Sequence, residues 1–116
     1  MNSVLQNFLD AHLTVPGLLG WGVRLPEQLT QSHSLTDSLQ NAHVDATLKR
    51  VLMAAEGLPR HQLTPGRLLW RFDKMTICLA LRPDPYALCL LVARQEGGQE
   101  VPETVLADFQ ALTLED

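Results

Sequence analysis

Residues 67–94 read RLLWRFDKMTICLALRPDPYALCLLVAR, and their patterning decides the fold. From Arg67 to Asp73, the residues Leu68, Trp70 and Phe72 alternate with Arg67, Leu69, Arg71 and Asp73, which is the period-2 pattern of a half-solvated strand. Met75–Arg82 and Tyr86–Arg94 follow, both almost wholly apolar, and runs of that kind lie in a sheet covered on both faces. The Pro83-Asp84-Pro85 corner between them is turn chemistry. Three consecutive antiparallel strands are therefore expected. On the second of them Ile77, Leu79 and Leu81 share one face, while Thr76, Cys78 and Ala80 make the other, small enough for a helix to sit close. A hairpin centred on Pro83-Asp84 sets Cys78 opposite Cys89, and a one-residue shift in the turn separates them. Buried cysteine is a common core residue, so packing is the preferred reading over a redox pair.

Working outward, Ser3 to His12 has the spacing of a short amphipathic helix, with Val4, Leu5, Phe8, Leu9 and His12 on one stripe. Ser3 is its expected N-cap, with Gln6 completing a capping box. Leu18–Leu25 (LLGWGVRL) reads as a buried strand whose Gly20 and Gly22 let a neighbouring element approach. Gln28–Ser34 is polar and short, an edge strand. A longer helix is expected over Asp37–Glu56, with Thr36 as N-cap, Gly57 as the C-terminal stop and a break near Val44-Asp45 as an alternative. Leu48, Val51, Leu52 and Ala55 form its main apolar stripe. Leu58–Gly66, with Pro59 and Pro65, is a connecting loop, and Gln95–Gln99 is another, with a Gly97-Gly98 hinge. A last helix spans Pro102–Leu112, burying Val105, Leu106, Phe109 and Leu112. The expected architecture is α+β, in the order α-β-β-α-β-β-β-α, with residues 1–116 as a single domain.

Composition excludes several functional classes. A net charge of −4, with nine scattered basic residues, gives no electrostatic footprint for nucleic acid. No apolar run approaches the roughly 18–20 residues that span a bilayer, and no basic region precedes an apolar stretch at the N-terminus. The expected setting is cytoplasmic, without membrane insertion, and there two cysteines stay reduced.

Catalytic chemistry finds no footing either. His12, His33, His43 and His61 are not spaced as metal ligands, and neither cysteine lies near one in sequence. Gly17, Gly20 and Gly22 do not follow a strand and open a helix, so there is no phosphate loop. Ser32-His33-Ser34 sets a base beside hydroxyls, but neighbouring side chains in a strand point to opposite faces. Asp37, Asp45, Asp73 and Asp84 read as caps or turns. No catalytic residue, metal or cofactor is expected.

The strand through Trp70 carries a different signal. Its clean alternation marks it as a sheet edge, and a free edge must be covered, blunted or paired with another chain. Its outward row is Arg67, Leu69, Arg71 and Asp73. The preceding helix shows small residues at Ala42, Ala46, Ala54 and Ala55, with Lys49 and Met53 beside them. Two readings fit: a homodimer interface made by Arg67, Leu69, Arg71, Asp73, Ala42, Ala46, Lys49 and Met53, or a solvated edge protected by its arginines.

From Thr36 to Arg94, through the long helix, the loop and the three strands RLLWRFDKMTICLALRPDPYALCLLVAR, the chain resembles the roadblock/dynein light chain family. The resemblance implies a five-stranded antiparallel sheet with one long helix on one face and the two terminal helices on the other. Members of that family pair third strands edge to edge and pack long helices together. They are non-enzymatic platforms that bind or regulate small Ras-like GTPases or attach to motor complexes. The resemblance thus implies a homodimeric adaptor or scaffold with a small GTPase as partner. Gln28–Ser34 is more polar than the family's second strand, and no GTPase-facing residue carries over. The competing reading is a PAS or profilin-like sensory domain, which needs an apolar pocket holding convergent polar groups.

Overall fold

Strands β4 (Met75–Leu81) and β5 (Ala87–Ala93) form the antiparallel hairpin that the apolar runs predict, and Thr76–Ala80 and Ala87–Val92 are buried throughout. A computed structural model describes residues 2–58, 66–94 and 102–114 of the chain. Strand β1 (Leu18–Arg24) pairs with β5, β2 (Thr30–Ser34) with β1, and β3 (Arg67–Arg71) with β4. All pairings are antiparallel, and the sheet order is β2-β1-β5-β4-β3. Helices α1 (Ser3–His12), α2 (Asn41–Glu56) and α3 (Glu103–Ala111) complete the expected α+β order. The two expected connecting loops, with Pro59, Pro65 and the Gly97-Gly98 hinge, and His61, lie almost wholly outside the described residues.

Alternation along the strands assigns each helix to a face. On one face Val23, Cys78, Ala80, Leu88, Leu90 and Val92 pack beneath α1 and α3, which contribute Leu5, Phe8, Leu9, Val105, Leu106 and Phe109. On the other face Ile77, Leu79, Ala87, Cys89 and Leu91 meet Val44, Leu48, Val51, Leu52 and Ala55 of α2. Each large aliphatic side chain buried this way contributes roughly 1.5–3 kcal/mol. The approach of α2 to β1 depends on two missing side chains. A Cβ on Gly20 would stand 3.1 Å from Val44 and from the His33 carbonyl, and one on Gly22 would stand 3.1 Å from Leu48.

Local chemistry moves several boundaries. The N-cap of α1 is Asn2, whose Oδ1 accepts from the N–H groups of Val4 and Leu5, in place of Ser3. Helix α2 begins at Asn41 with Gln40 as N-cap, four residues later than Asp37. Hydroxyls hold the intervening backbone in turns: Ser34 Oγ donates to the Thr36 carbonyl, Thr36 N donates back to Ser34 Oγ, and Leu39 N bonds the Thr36 carbonyl. The helix does not break at Asp45, and Gly57 ends it with φ −75°, not in the left-handed conformation of a glycine stop. The β4–β5 register sets Cys78 opposite Leu90 and Leu79 opposite Cys89. That one-residue difference puts the two thiols on opposite faces of the sheet, one in each core. Among the described residues no helix is long and apolar enough to cross a membrane.

The turn between β4 and β5 is tied to α3 by one arginine. The side chain of Arg82 is only 7% exposed and lies bidentate on Asp84, with contacts of 2.8–3.1 Å. Its Nη2 donates to the Leu112 carbonyl at 2.6 Å and its Nη1 to the Phe109 carbonyl, and the guanidinium stands 5.4 Å from the Phe109 ring centre. The Leu112 carbonyl lies past the last turn of α3, and the Phe109 carbonyl otherwise accepts a long bond of 3.3 Å from the Leu112 N–H, so Arg82 caps this helix end. Arg82→Ala should lower unfolding stability by about 2–4 kcal/mol in urea titrations, because it removes the guanidinium that pairs with Asp84 and caps the Phe109 and Leu112 carbonyls. Arg82→Lys should recover less than half of that loss, since an ammonium lacks the planar fork.

Candidate interaction surface at the third-strand edge

The sheet has two edges, β2 and β3, and they are finished differently. At β2, Ser34 N donates to Asn41 Oδ1 at 2.7 Å, occupying part of the outer edge with a side chain from α2. Asp45 of α2 accepts from the hydroxyls of Thr30 at 2.8 Å and Ser32 at 3.0 Å, and pairs with Lys49 at 2.9 Å. The hydrogen-bonded Lys49 ammonium, reinforced by both hydroxyls, holds the Asp45 carboxyl below its usual range against the opposing effect of partial burial. The turn before β2 carries Glu27 and Gln28 at φ 65° and 62°, an uncommon conformation for residues with side chains.

At β3 the ladder leaves the outer side to backbone. Phe72 N bonds the Met75 carbonyl and Leu81 N bonds the Gly66 carbonyl, each at 2.8 Å. With the observed register, Leu68 and Trp70 therefore exchange hydrogen bonds with β4. The N–H and C=O groups of Arg67, Leu69 and Arg71 point the other way, where no strand lies among the described residues. Apolar surface accompanies them, with Leu69 45% and Phe72 51% exposed.

The eight residues expected at an interface do not come together. Arg67, Leu69 and Arg71 lie opposite Ala80, Cys78 and Thr76, on the face covered by α1 and α3. Arg67 reaches α3 itself, donating to Gln110 Oε1 at 2.8 Å and pairing with Glu103 at 2.5 Å. Ala42, Ala46, Lys49 and Met53 belong to α2, on the other face, and all four are exposed on the side of the helix turned away from the sheet. Lys49 and Met53 border a groove of about 540 Å³ with Arg24, Thr30 and Pro85, far along the sheet from β3. Asp73 sits in the turn after Phe72 and not in the strand. Ala55 is buried in the α2 core, leaving Ala54 exposed.

The surface that does adjoin the β3 edge is made by other residues. Trp70, Phe72 and Met75 line a groove of about 300 Å³ with Thr47, Arg50 and Val51 of α2. Trp70 and Phe72 read as inward from alternation, and they do point toward α2, but the helix covers that end of β3 only partly. Thr47 and Arg50 occupy the flank of α2 nearest β3, a flank that only the helix's rotation about its axis reveals.

Other reactive groups lie apart from this surface. Burial, and secondarily the nearby Cys78, pushes the Cys89 thiol up to about 12, so it is no nucleophile at neutral pH. His12 sits between α1 and α3, with Nδ1 3.0 Å from the Phe8 carbonyl and Nε2 3.7 Å from Asp108. His33 and His43 are exposed on β2 and α2. No group of three or more histidine, cysteine or acidic residues suited to a metal ion occurs among the described residues. No protein-family model matches the chain, and no curated protein matches it significantly.

The Asp45 cluster makes a pH-dependent contribution of known sign. A carboxyl whose folded pKa lies below its unfolded value, about 3.9, stabilises the fold above that unfolded value. The contribution disappears as pH falls through the folded pKa. Asp45→Asn should therefore lower stability by roughly 1 kcal/mol at neutral pH. The gap between variant and wild type should close on acidification, as read by urea unfolding at a series of pH values.

Proposed function

We propose that this chain is a non-enzymatic, homodimeric adaptor of the roadblock-like kind, which regulates or scaffolds a partner protein, with a small Ras-like GTPase as the expected one. The observation that carries this reading is the β3 edge, where outward backbone groups, two half-exposed apolar side chains and a groove against α2 coincide. An edge of that kind is an open template for another strand. Its counterpart β2 is partly occupied by Asn41, so the two edges are not equivalent. Five antiparallel strands with α2 on one face and α1 and α3 on the other agree with the architecture that the resemblance implies.

The reading also fits what the interior lacks. A sensory domain needs a chamber between sheet and helix with polar groups aimed into it. Here the layer between the sheet and α2 is filled by Val44, Leu48, Leu52, Leu79 and Leu91, and the grooves among the described residues open on the surface. Phosphoryl transfer requires a phosphate loop, a magnesium site and a positioned water. The chemistry in this reading belongs to the partner, and the adaptor acts by ordering the partner's switch segments.

Light scattering at micromolar concentration should give a mass about twice 12.9 kDa. Leu69→Pro removes an N–H that points away from β4, so it should spare the chain's own sheet while weakening the dimer at least roughly tenfold. Retained far-UV circular dichroism with a halved mass is the expected pair of results. A wild-type monomer at every accessible concentration would sink the proposal.

A further inference from the structure

The groove far along the sheet from β3 carries a charge that nothing around it balances. It opens between the C-terminal half of α2, the turn joining β1 to β2, and Pro85 of the β4–β5 turn, with a volume of about 540 Å³. Leu25, Leu52, Met53 and Pro85 supply its apolar wall. Met53 is 72% exposed, the most of any large apolar side chain among the described residues. A trough open on the surface receives side chains of another polypeptide, whereas a small-molecule site encloses most of its ligand.

The charges lining the groove divide into two kinds. Arg24 donates to the Pro85 carbonyl at 2.7 Å and pairs with Glu56 at 3.4 Å, and Lys49 pairs with Asp45 at 2.9 Å. Both cations are therefore balanced within the chain. Glu27 lines the same groove without a hydrogen bond or ion pair among the described residues. An uncompensated carboxylate beside exposed apolar surface is complementary to a cation flanked by aliphatic groups. The backbone puts it there against local preference. Glu27 and Gln28, at φ 65° and 62°, are the central pair of a turn that the Leu29 N–H closes on the Pro26 carbonyl at 3.5 Å. Two consecutive left-handed residues are a conformation that suits Asn-Gly, and side chains as long as these adopt it at a cost in stability.

We propose that this groove docks a segment of a partner protein in which lysine or arginine adjoins aliphatic residues, the cation meeting Glu27 and the aliphatic groups covering Met53. Docking here goes beyond the dimer reading and does not depend on it, because the groove lies away from β3. The probe is a capped octapeptide of alternating leucine and lysine, titrated into the protein and followed by NMR of backbone amides and methionine methyls. Saturable shifts are expected at the Met53 methyl and the Gln28 amide, and none at Phe72. The matched peptide with glutamate for lysine should bind at least roughly fivefold more weakly, and Glu27→Lys should reverse that order. Met53→Ser should weaken both peptides. Glu27→Asn combined with Gln28→Gly should raise the urea midpoint yet weaken the lysine peptide roughly threefold or more, a pairing that loss of folding cannot mimic. Absence of binding, shifts centred on Phe72, or affinity indifferent to the charge at residue 27 would each overturn the proposal. Met53 shifts that follow protein concentration without peptide would assign the groove to a second copy and overturn it too. A monomeric protein that binds the lysine peptide as described supports the groove while the dimer reading fails alone.

Discussion

The β4–β5 hairpin constrains everything else in this molecule, because both of its faces must be kept from water at once. A strand pair with Ile77, Leu79, Cys89 and Leu91 on one side and Cys78, Ala80, Leu88 and Leu90 on the other cannot be satisfied by a single helix layer. Helix α2 covers the first side, and α1 with α3 cover the second. The residues facing α1 and α3 on β4 are the small ones, which leaves room for the bulk of Phe8 and Phe109. Arg82 then joins the hairpin's own turn to the end of α3, so the covering layer and the covered strands are held by one guanidinium.

Five strands are enough to bury the hairpin but leave two edges to be finished. The solution at β2 is internal: α2 supplies Asn41 for the backbone and Asp45 for the hydroxyls of Thr30 and Ser32. Both devices require α2 to lie on the β1–β2 side of the sheet, which Gly20 and Gly22 permit. The same displacement leaves the β3 end less covered, so that Trp70 is only partly buried and Phe72 half-exposed. The asymmetry of the edges is thus a consequence of where one helix can pack closely. The adaptor function proposed for β3 would use the side of the sheet that the fold leaves less covered.

Much of this was legible in the amino-acid order. The apolar runs after Lys74, the alternation from Arg67 and the Pro83-Asp84-Pro85 corner define three strands, and glycine spacing in LLGWGVRL marks the close approach of a helix. The less legible features depend on a single residue of register or on a rotation. Cys78 and Cys89 separate because the turn is one residue different from a Pro83-Asp84 centre, and sequence does not distinguish the two turns. Helix α2 starts late because Ser34, Thr36 and Ser38 engage one another and the backbone, which makes their segment a run of turns in spite of good capping residues. Ala42, Ala46, Lys49 and Met53, the α2 residues that the sequence singles out, are exposed away from the sheet, whereas Thr47 and Arg50, which it does not reach, line the groove beside β3. Alternation locates a strand's two faces, but it does not say how far a helix extends over them.

The proposed second copy on the outer side of β3 is tested most directly by amide hydrogen exchange at single-residue resolution. The amides of Leu68 and Trp70 bond β4 within one chain and should be protected at all concentrations, serving as the internal standard. The Leu69 amide points outward, and its protection should rise with protein concentration in step with dimer formation, while the Ser32 amide on the outer side of β2 exchanges fast throughout. Fast exchange at Leu69 at every concentration, beside protected Leu68 and Trp70, would contradict the account.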